Sequence, residues 1–450
     1  MKKNITIIGA GLVGSLLSIY LAKRGHKIRI YERRGDMRKE KMVAGRSINL
    51  ALSDRGLLAL DKVGLSEEIK QIAIPMHGRH IHNIDGTNAF QPYGKEGQFI
   101  NSVSRASLNM KLMDLAEQHE VEIHFNHKCS SIDWKTNSIT FELADSRLLT
   151  QDSELIFGSD GAFSTARLQH QLQHDKFDYQ QYYIDCGYKE LTIPAGPEGS
   201  FLLEKNGLHI WPRKNYMLIA LPNIDGSFTC TLFFPFAGEQ SFEKLNDEEK
   251  VASFFETTFP EIIPLIPDLN NQFFHNPVSS LVTIKCFPWI RDDKFALIGD
   301  AAHAIVPFFG QGMNCGFEDC RILDELIEQN GNDWHTILQQ YQTLRKPDGD
   351  AIADLAVNNF TEMREKTAEP RFLLQKKIEA MLYEKYPDKW IPAYTQVTFS
   401  PHIRYSEALQ RGQNQEAIME EVMNLPGIEQ IWKTGEIEHW IISKVQNKSI

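Results

Sequence analysis

The pattern of apolar and polar positions is most regular at the start of the chain. Residues 5–8 form an apolar run long enough for a buried parallel strand, and a glycine-rich turn follows directly. Residues 15–22 have a helical pattern that breaks at Gly25, and residues 27–31 form a second strand that ends at Glu32. The order strand, turn, helix, strand predicts a βαβ unit.

The turn of this unit carries the spacing of a dinucleotide-binding motif. Gly9 allows a tight turn, Gly11 allows a pyrophosphate to approach the backbone, and Gly14 allows the helix to pack closely on the strand. Glu32 is placed to accept hydrogen bonds from a ribose hydroxyl. Arg33 beside it could instead bind the 2′-phosphate of NADP, so the motif alone does not distinguish FAD from NAD(P). The alternative is a glycine-rich turn that binds no ligand.

Further along, alternating and periodic stretches predict the remaining elements. Helices are expected at residues 54–63, 66–72, 104–117, 247–259 and 315–329, and Asp85-Gly86 is typical of a hairpin turn. Strand-like runs at 182–188, 208–211, 216–221 and 228–234 predict an antiparallel sheet. Residues 334–383 and 407–445 have helical patterns, with Pro347 as a break and with Trp432 and Trp440 as core anchors.

Composition narrows the class of protein. The 450 residues are 42% hydrophobic and 24% charged, as in an ordinary globular protein, and are too many for one average core. The formal charge of −11 and the lack of a basic block argue against nucleic acid or an anionic membrane surface as the main partner. The six cysteines contain no C-x-x-C pair and read as buried residues in a reducing cytosol.

Three histidines, His77, His80 and His82, raise the question of a metal site. Their spacing fits neither one face of a helix nor a known ligand set, and no acid or cysteine completes the group. We therefore interpret them as strand and loop residues and expect no metal.

Two more motifs combine with the first turn. Asp160-Gly161 is followed by Arg167, and Gly299-Asp300 precedes a second glycine pair, Gly310 and Gly312. A carboxylate at Asp300 can hold a ribityl hydroxyl, and the later glycines leave backbone N–H groups at the start of a helix. All three motifs, in this order, resemble the class A flavoprotein aromatic hydroxylases over residues 1–345, which identifies the expected dinucleotide as FAD.

That resemblance implies an α/β chain with three parts. The first is a discontinuous Rossmann-like FAD-binding domain of the para-hydroxybenzoate hydroxylase type, at residues 1–75, 100–178 and 286–345. The second is an antiparallel β-sheet substrate domain at residues 76–99 and 179–285. The third is a C-terminal helical region at residues 346–450.

Other segments are similar to the members of this family that hydroxylate L-kynurenine, namely residues 32–34, 45–52, 91–94, 209–212, 299–303, 306–308, 310–315 and 397–399. The resemblance implies that Arg79 binds the substrate carboxylate, with hydrogen-bonding partners and apolar walls at Tyr93, Asn359, Tyr394, Met363 and Phe308. It implies FAD contacts at Arg105, Asp160 and Asp300, and an isoalloxazine near Gly312, Met313 and Asn314.

The implied reaction needs neither a metal nor a catalytic side chain. NADPH reduces FAD, O2 adds at the flavin C4a, and the resulting hydroperoxide transfers one oxygen to kynurenine, which gives 3-hydroxykynurenine in tryptophan degradation. With a single glycine motif, NADPH is expected to bind without a second Rossmann domain. Phe309 departs from the pattern, since relatives can carry histidine there, and no histidine role is carried over.

The resemblance also bears on location and on the alternatives. Mitochondrial members carry a C-terminal membrane anchor, whereas this chain ends in a charged helical stretch, so a cytoplasmic protein is the expectation. A homodimer is a further expectation. The rival hypotheses are a flavin hydroxylase or reductase with another aromatic or isoprenoid substrate, an FAD-binding protein without turnover, and an NAD-dependent dehydrogenase.

Overall fold

The computed structural model describes residues 2–39, 49–362 and 369–448. The first strands of this described part are β1 (Asn4–Ile8), β2 (Lys27–Tyr31), β3 (Asn49–Leu52), β4 (Ala73–Met76), β5 (Gly78–His82), β6 (Asn88–Pro92), β7 (Ile100–Ser104), β8 (Glu122–His124), β9 (His127–Asp133) and β10 (Ser138–Leu143). The later strands are β11 (Leu148–Asp152), β12 (Leu155–Gly158), β13 (Asp178–Ile193), β14 (Gly207–Arg213), β15 (Tyr216–Pro222), β16 (Phe228–Pro235), β17 (Val278–Phe287), β18 (Ile290–Arg291) and β19 (Phe295–Leu297).

The helices are distributed through the whole described chain and become continuous towards its end. The first are α1 (Leu12–Lys23), α2 (Asp54–Lys62), α3 (Ser66–Lys70), α4 (Arg105–Gln118), α5 (Thr165–Leu172), α6 (Glu248–Thr258), α7 (Leu269–His275) and α8 (Asp300–His303). The later ones are α9 (Gly312–Asn330), α10 (Trp334–Thr361), α11 (Pro370–Lys385), α12 (Ala393–Phe399), α13 (Tyr405–Met423), α14 (Ile428–Ile431) and α15 (Gly435–Lys448).

The predicted βαβ unit forms the centre of a six-stranded sheet. Its strand order is β18-β19-β12-β1-β2-β8, and β1 pairs in parallel with both β12 and β2. The short strand β8 extends this sheet, since it pairs in parallel with β2. Strands in the middle of such a sheet are buried on both faces, which is why residues 5–8 read as a continuous apolar run.

A seven-stranded sheet forms the second layer, in the order β17-β13-β16-β15-β14-β5-β6. The hairpin expected at Asp85-Gly86 is confirmed, since β5 and β6 pair antiparallel on either side of it. The expectation of an entirely antiparallel sheet is wrong at one position, because β14 pairs in parallel with β5. These two strands come from separate parts of the chain, so no tight hairpin forces the antiparallel direction between them.

Side chains alternate between the two faces of β5 and so separate its residues by function. Arg79 and, on the neighbouring strand β14, Leu208 line the large cavity of the protein. His80, His82 and His209 lie at the alternate positions, and their rings contact one another on the other face. Two small three-stranded sheets, β11-β10-β9 and β3-β7-β4, complete the β structure of the described residues.

The C-terminal helices differ from the sequence-based expectation at Pro347 and at the tryptophans. Pro347 does not break the helical run, because α10 continues through it to Thr361. The residues around this proline are fixed by buried ion pairs of Arg345 and Asp348, which hold the helix in place. Trp432 and Trp440 pack only at the edge of the last hydrophobic cluster, whereas Trp390 is 1% exposed within it. Every helix of the described residues is too short or too polar to cross a lipid bilayer.

Candidate active site

The glycine turn after β1 is built as a cradle. Gly9 has φ +104°, and a Cβ on it would lie 2.8 Å from the Ser159 carbonyl oxygen. A Cβ on Gly14 would lie 2.1 Å from the Gly9 carbonyl oxygen, so only glycine lets α1 approach the turn this closely. Gly11 has nothing within 4 Å of its Cβ position and borders the cavity. The first and third glycines therefore shape the turn, while the second leaves room for a ligand.

The start of α1 has the properties of an anion site. Its N-cap residue Gly11 contributes no side-chain hydrogen bond, and its first turn contains no acidic residue. The free N–H groups and the positive end of the helix dipole therefore face the cavity without a competing protein anion. Together with the open position at Gly11, this arrangement fits a pyrophosphate, so the residues present match the expected dinucleotide.

Glu32 lies at the end of β2, as expected, and borders the cavity. Its Oε2 accepts a hydrogen bond from the Ala10 N–H at 3.0 Å, and its Oε1 accepts from the main-chain N–H and Nε of Arg34 at 3.0 and 2.9 Å. The carboxylate is thus held by three hydrogen bonds, and its oxygens retain accepting capacity for a ligand hydroxyl.

Asp160 is fixed by the start of α5. Its Oδ2 accepts from the N–H groups of Thr165 and Ala166 at 2.7 and 3.1 Å, and its Oδ1 accepts from the Ser164 hydroxyl at 2.5 Å. Burial raises the pKa of Asp160, although these hydrogen bonds oppose the rise. Asp160 borders the cavity, but much of its accepting capacity is used to cap the first N–H groups of α5.

The third motif delivers Asp300 to the cavity. Gly299 has φ +62° and precedes Asp300, the first residue of α8. The Gly299 N–H donates to Asp319 Oδ2 at 3.2 Å. Arg167 connects this motif to the second one, because its guanidinium donates to the carbonyls of Ala301 and Ala162 at 2.8 and 2.7 Å.

The loop before α9 is held by Asn314 rather than left open. Asn314 Oδ1 accepts from the Ser53 N–H at 3.0 Å, and its Nδ2 donates to the carbonyls of Ala51 and Gly310, both at 2.8 Å. The side chain is fully buried and does not border the cavity. Asn314 therefore supports the loop, while its neighbours Gly312 and Met313 border the cavity themselves.

The cavity is continuous and has a volume of about 520 Å³. It runs from the glycine turn to Arg79 and contains most of the residues expected from the sequence. Those that border it are Gly9, Gly11, Glu32, Arg33, Arg79, Tyr93, Arg105, Asp160, Asp300, Phe308, Gly312, Met313 and Tyr394. Gly14, Asn314 and Asn359 do not border it, and Met363 lies outside the described residues.

At the far end of the cavity, Arg79 is surrounded by aromatic rings. Its Cζ lies 4.8 Å from the ring centroid of Tyr394 and 5.4 Å from that of Tyr93. Burial alone would lower the pKa of Arg79, but the Tyr394 and Tyr93 hydroxyls and the Glu362 carboxylate raise it. Its buried Nε has no hydrogen-bond partner among the described residues. A buried donor in this state favours an anionic ligand.

Aromatic side chains line the wall of the cavity near Arg79. Phe308 stacks on Phe360 at 4.1 Å between ring centroids and contacts Phe233 at 4.9 Å. Phe309 stacks on Tyr394 at 5.2 Å, and Tyr394 stacks on Tyr93 at 5.7 Å. Asn359 is placed behind this wall, where its Nδ2 donates to the Phe308 carbonyl at 2.7 Å.

Sequence reasoning missed a buried network of charges beside the cavity. Arg55 and Arg345 both bind Glu318, each at 2.8 Å, and Arg345 also binds Asp319 at 2.7 Å. Asp319 in turn accepts from His303 at 2.6 Å. These residues come from α2, α8, α9 and α10, so no local pattern in the sequence indicates that they meet.

Cys315 joins His303 and Asp319 in a compact group of metal-ligating side chains. Burial alone would lower the pKa of His303, but the Asp319 carboxylate holds it well above its usual range. The Arg345 guanidinium lies 2.7 Å from Asp319 and 3.4 Å from Cys315 Sγ. The Arg345 guanidinium already occupies the position that a metal ion would take beside Asp319 and Cys315. We therefore interpret His303, Cys315 and Asp319 as part of the charge network.

The fold and the cavity define an FAD-binding protein of the class A hydroxylase type. Residues 2–356 match the model of the FAD-binding domain family. A solved structure with the same fold is 2-methyl-3-hydroxypyridine-5-carboxylic acid oxygenase, at 20% identity and a TM-score of 0.67, covering 87% of this chain and 98% of the other. More specifically, the chain belongs to the kynurenine 3-monooxygenase family.

Two relatives carry that assignment. The kynurenine 3-monooxygenase of Flavobacterium johnsoniae is 53% identical over 447 residues, which cover 98% of this chain and 99% of the relative. The kynurenine 3-monooxygenase of Flavobacterium psychrophilum is 52% identical over 458 residues, which cover 99% of each chain. The predicted family, the predicted fold class and FAD as the cofactor are thereby confirmed.

Proposed function

We propose that this chain hydroxylates L-kynurenine to 3-hydroxykynurenine and consumes NADPH and O2. The observation that carries the proposal is the position of Arg79. Half-buried Arg79, whose Nε is buried and unpaired, lies in the same cavity as the dinucleotide cradle, and aromatic rings surround its guanidinium. An aromatic amino acid has the matching chemistry, because it presents a carboxylate at one end and a ring at the other.

Arg79 is the proposed carboxylate partner, with Tyr93 and Tyr394 beside it. A guanidinium binds a carboxylate through two parallel hydrogen bonds, which fix its orientation as well as its position. Burial raises the pKa of both tyrosines, so their hydroxyls stay protonated and can donate. Phe308 and the residues packed on it form the proposed apolar wall against the substrate ring.

Asn359 and Met363 are also proposed to contribute to the substrate site, on different grounds. Asn359 holds the Phe308 carbonyl and so contributes to the wall from behind. Met363 lies outside the described residues, and only the family resemblance supports its role.

The proposed FAD contacts follow the order of the cavity. Gly9, Gly11 and Gly14 shape the cradle, Glu32 and Arg33 are the proposed partners of a ribose, and Arg105, Asp160 and Asp300 are further proposed contacts that border the cavity. Gly312 and Met313 are proposed at the isoalloxazine, with Asn314 as their support. Bound FAD supplies the redox chemistry with NADPH and O2, and the chain supplies orientation and exclusion of water.

Sheet membership supports the proposed division of the chain into domains. Strands β5 and β6, from residues 76–99, share one sheet with β13 to β17, which lie almost entirely within residues 179–285. The strands of residues 1–75, 100–178 and 286–345 form the other sheets. The proposed boundary at residue 346 falls inside α10, and the described residues after it contribute helices only.

We further propose a cytoplasmic protein, because the six cysteines are all buried free thiols, as is usual in a reducing compartment. A homodimer stays a prediction, which light scattering of the purified protein tests.

The decisive experiment is anaerobic reduction of the bound flavin by NADPH, with and without L-kynurenine. We expect kynurenine to accelerate flavin reduction, and aerobic turnover to yield 3-hydroxykynurenine by mass spectrometry. Flavin reduction that ignores kynurenine but responds to another aromatic compound would point to the alternative, a related flavin hydroxylase or reductase. A colourless purified protein would contradict both.

A further inference from the structure

Arg55 is a fully buried cation with an unusual set of partners. It lies on α2 and is 1% exposed. Its Nε donates to the Val397 carbonyl at 2.7 Å, and its Nη2 donates to the carbonyls of Gln396 and Ser400, both at 3.3 Å. Nη2 also donates to the carbonyl of Ile403. One guanidinium thus binds four main-chain oxygens of a single segment.

These carbonyls belong to the end of α12 and the loop after it. The last carbonyls of a helix have no partner within the helix, and a cation near them is stabilising. α12 has seven residues, and Tyr394 is its second residue. Because the helix is so short, whatever fixes its C-terminal end also fixes the Tyr394 ring at the cavity.

The same guanidinium is connected to the cofactor side of the cavity. Its Cζ lies 4.1 Å from the ring centroid of Tyr405, and the Tyr405 hydroxyl donates to Gln311 Oε1 at 2.8 Å. Gln311 immediately precedes Gly312, which borders the cavity. Glu318 on α9 accepts from Arg55 Nη1 at 2.8 Å and balances its charge. Arg55 therefore ties α12 to the loop that leads into α9.

We propose that Arg55 is a positioning residue that holds Tyr394 against Arg79, an inference that rests on the proposed function for its substrate. Arg55 does not border the cavity, and its connection to Tyr394 runs through the carbonyls of residues 396–403. Its loss lets α12 shift, which separates the Tyr394 ring from the Arg79 guanidinium and weakens the grip on a carboxylate.

The test is a double-mutant cycle on the FAD-loaded enzyme. Arg55→Lys keeps the charge opposite Glu318 but loses the planar fork that reaches several carbonyls. We expect it to raise the Kd for L-kynurenine about tenfold, as for lost hydrogen bonds to a charged group, and to change the Kd for FAD less than about twofold. Combining it with Tyr394→Leu, which removes the ring beside Arg79, should add little to the larger single effect, because both act on the same contact. Fully additive losses would overturn the inference.

The matched control is Arg345→Lys. Arg345 shares Glu318 with Arg55 but donates to none of the carbonyls of residues 396–403. We expect it to change the Kd for kynurenine less than Arg55→Lys does. Equal effects of the two variants would assign the change to the altered ion pairs with Glu318 and would contradict a role through α12.

A second measurement does not depend on the identity of the substrate. Hydrogen exchange of the substrate-free, FAD-loaded Arg55→Lys variant should be faster at residues 393–403 and unchanged in β5 and α1. Unchanged exchange at residues 393–403 would refute the role of Arg55 even if kynurenine proved not to be the substrate. If the wild-type protein shows no kynurenine-dependent NADPH oxidation, this result would refute only the proposed function.

Discussion

Replacement of Arg79 tests the substrate end of the cavity most directly. In the Arg79→Met variant, the guanidinium that faces Tyr93 and Tyr394 is removed, and a side chain of similar length remains. A bidentate bond to a carboxylate comprises two charge-assisted hydrogen bonds, each contributing about 1.5–3 kcal/mol. Since part of this is offset by desolvation, we expect a loss of about 3 kcal/mol, or roughly a hundredfold rise in the Kd for kynurenine.

The same variant should not destabilise the substrate-free protein. Arg79 Nε is buried without a hydrogen-bond partner among the described residues, and such a group costs about 1–3 kcal/mol. We therefore expect the melting temperature of Arg79→Met to equal or exceed that of the wild type. This opposes the usual effect of a mutation at a buried position.

The assay is titration of the bound flavin with L-kynurenine, alongside release of FAD and thermal unfolding. Arg79→Lys should retain the charge and lose the fork, with a rise in Kd of about tenfold. The control is Lys95→Ala, which removes an exposed cation that contacts Tyr383 and does not border the cavity. Equal losses of FAD and kynurenine affinity in Arg79→Met would show that Arg79 is structural and would refute the reasoning.

Three further predictions follow from the geometry. The Gly11→Ala variant should melt like the wild type and bind FAD more weakly. The Gly14→Ala variant should have a lower melting temperature, because its Cβ would lie 2.1 Å from the Gly9 carbonyl oxygen. Identical melting temperatures and FAD affinities of the two variants would contradict the cradle. Burial lowers the pKa of His82 and His209 to about 4, so the unfolded chain binds more protons between pH 6.5 and 4. The free energy of unfolding, measured with urea, should therefore fall across that window as pH decreases, by at most about 3 kcal/mol per histidine, and a flat profile would oppose this. Asp319→Asn should cost about 3–5 kcal/mol in the same assay, since it leaves buried cations uncompensated, and a neutral effect would show that the network contributes little.

Local patterns predicted the parts of the fold that depend on neighbours in sequence. The βαβ unit, the hairpin at Asp85-Gly86 and the helix expected at residues 54–63 all follow from short-range signals, namely apolar runs, turn residues and helical periodicity. The glycine spacing also predicted the tight turn and the close approach of α1, since Gly9 and Gly14 meet steric limits that only glycine satisfies.

The features that sequence reasoning missed depend on contacts between distant segments. Pro347 looked like a helix break, but the buried partners of Arg345 and Asp348 hold α10 together around it. The parallel pair of β5 and β14 joins strands that are far apart in the chain, and no turn residue announces it. Arginine and glutamate are common on exposed helix surfaces, so neither Arg55 nor Glu318 indicates a buried ion pair by its type. Only the folded chain brings their side chains to within 2.8 Å.

The position of Tyr394 has a consequence for how this family can change over evolution. The match to the FAD-binding family ends at residue 356, whereas Tyr394 reaches the cavity from a helix beyond that point. Recombination or drift within the last hundred or so residues can therefore retune which ligand is accepted without rebuilding the nucleotide cradle. One part of the cavity lining, Tyr394, is thus encoded in a different stretch of the gene from the nucleotide cradle, whereas Arg79 and Tyr93 share a stretch with the cradle.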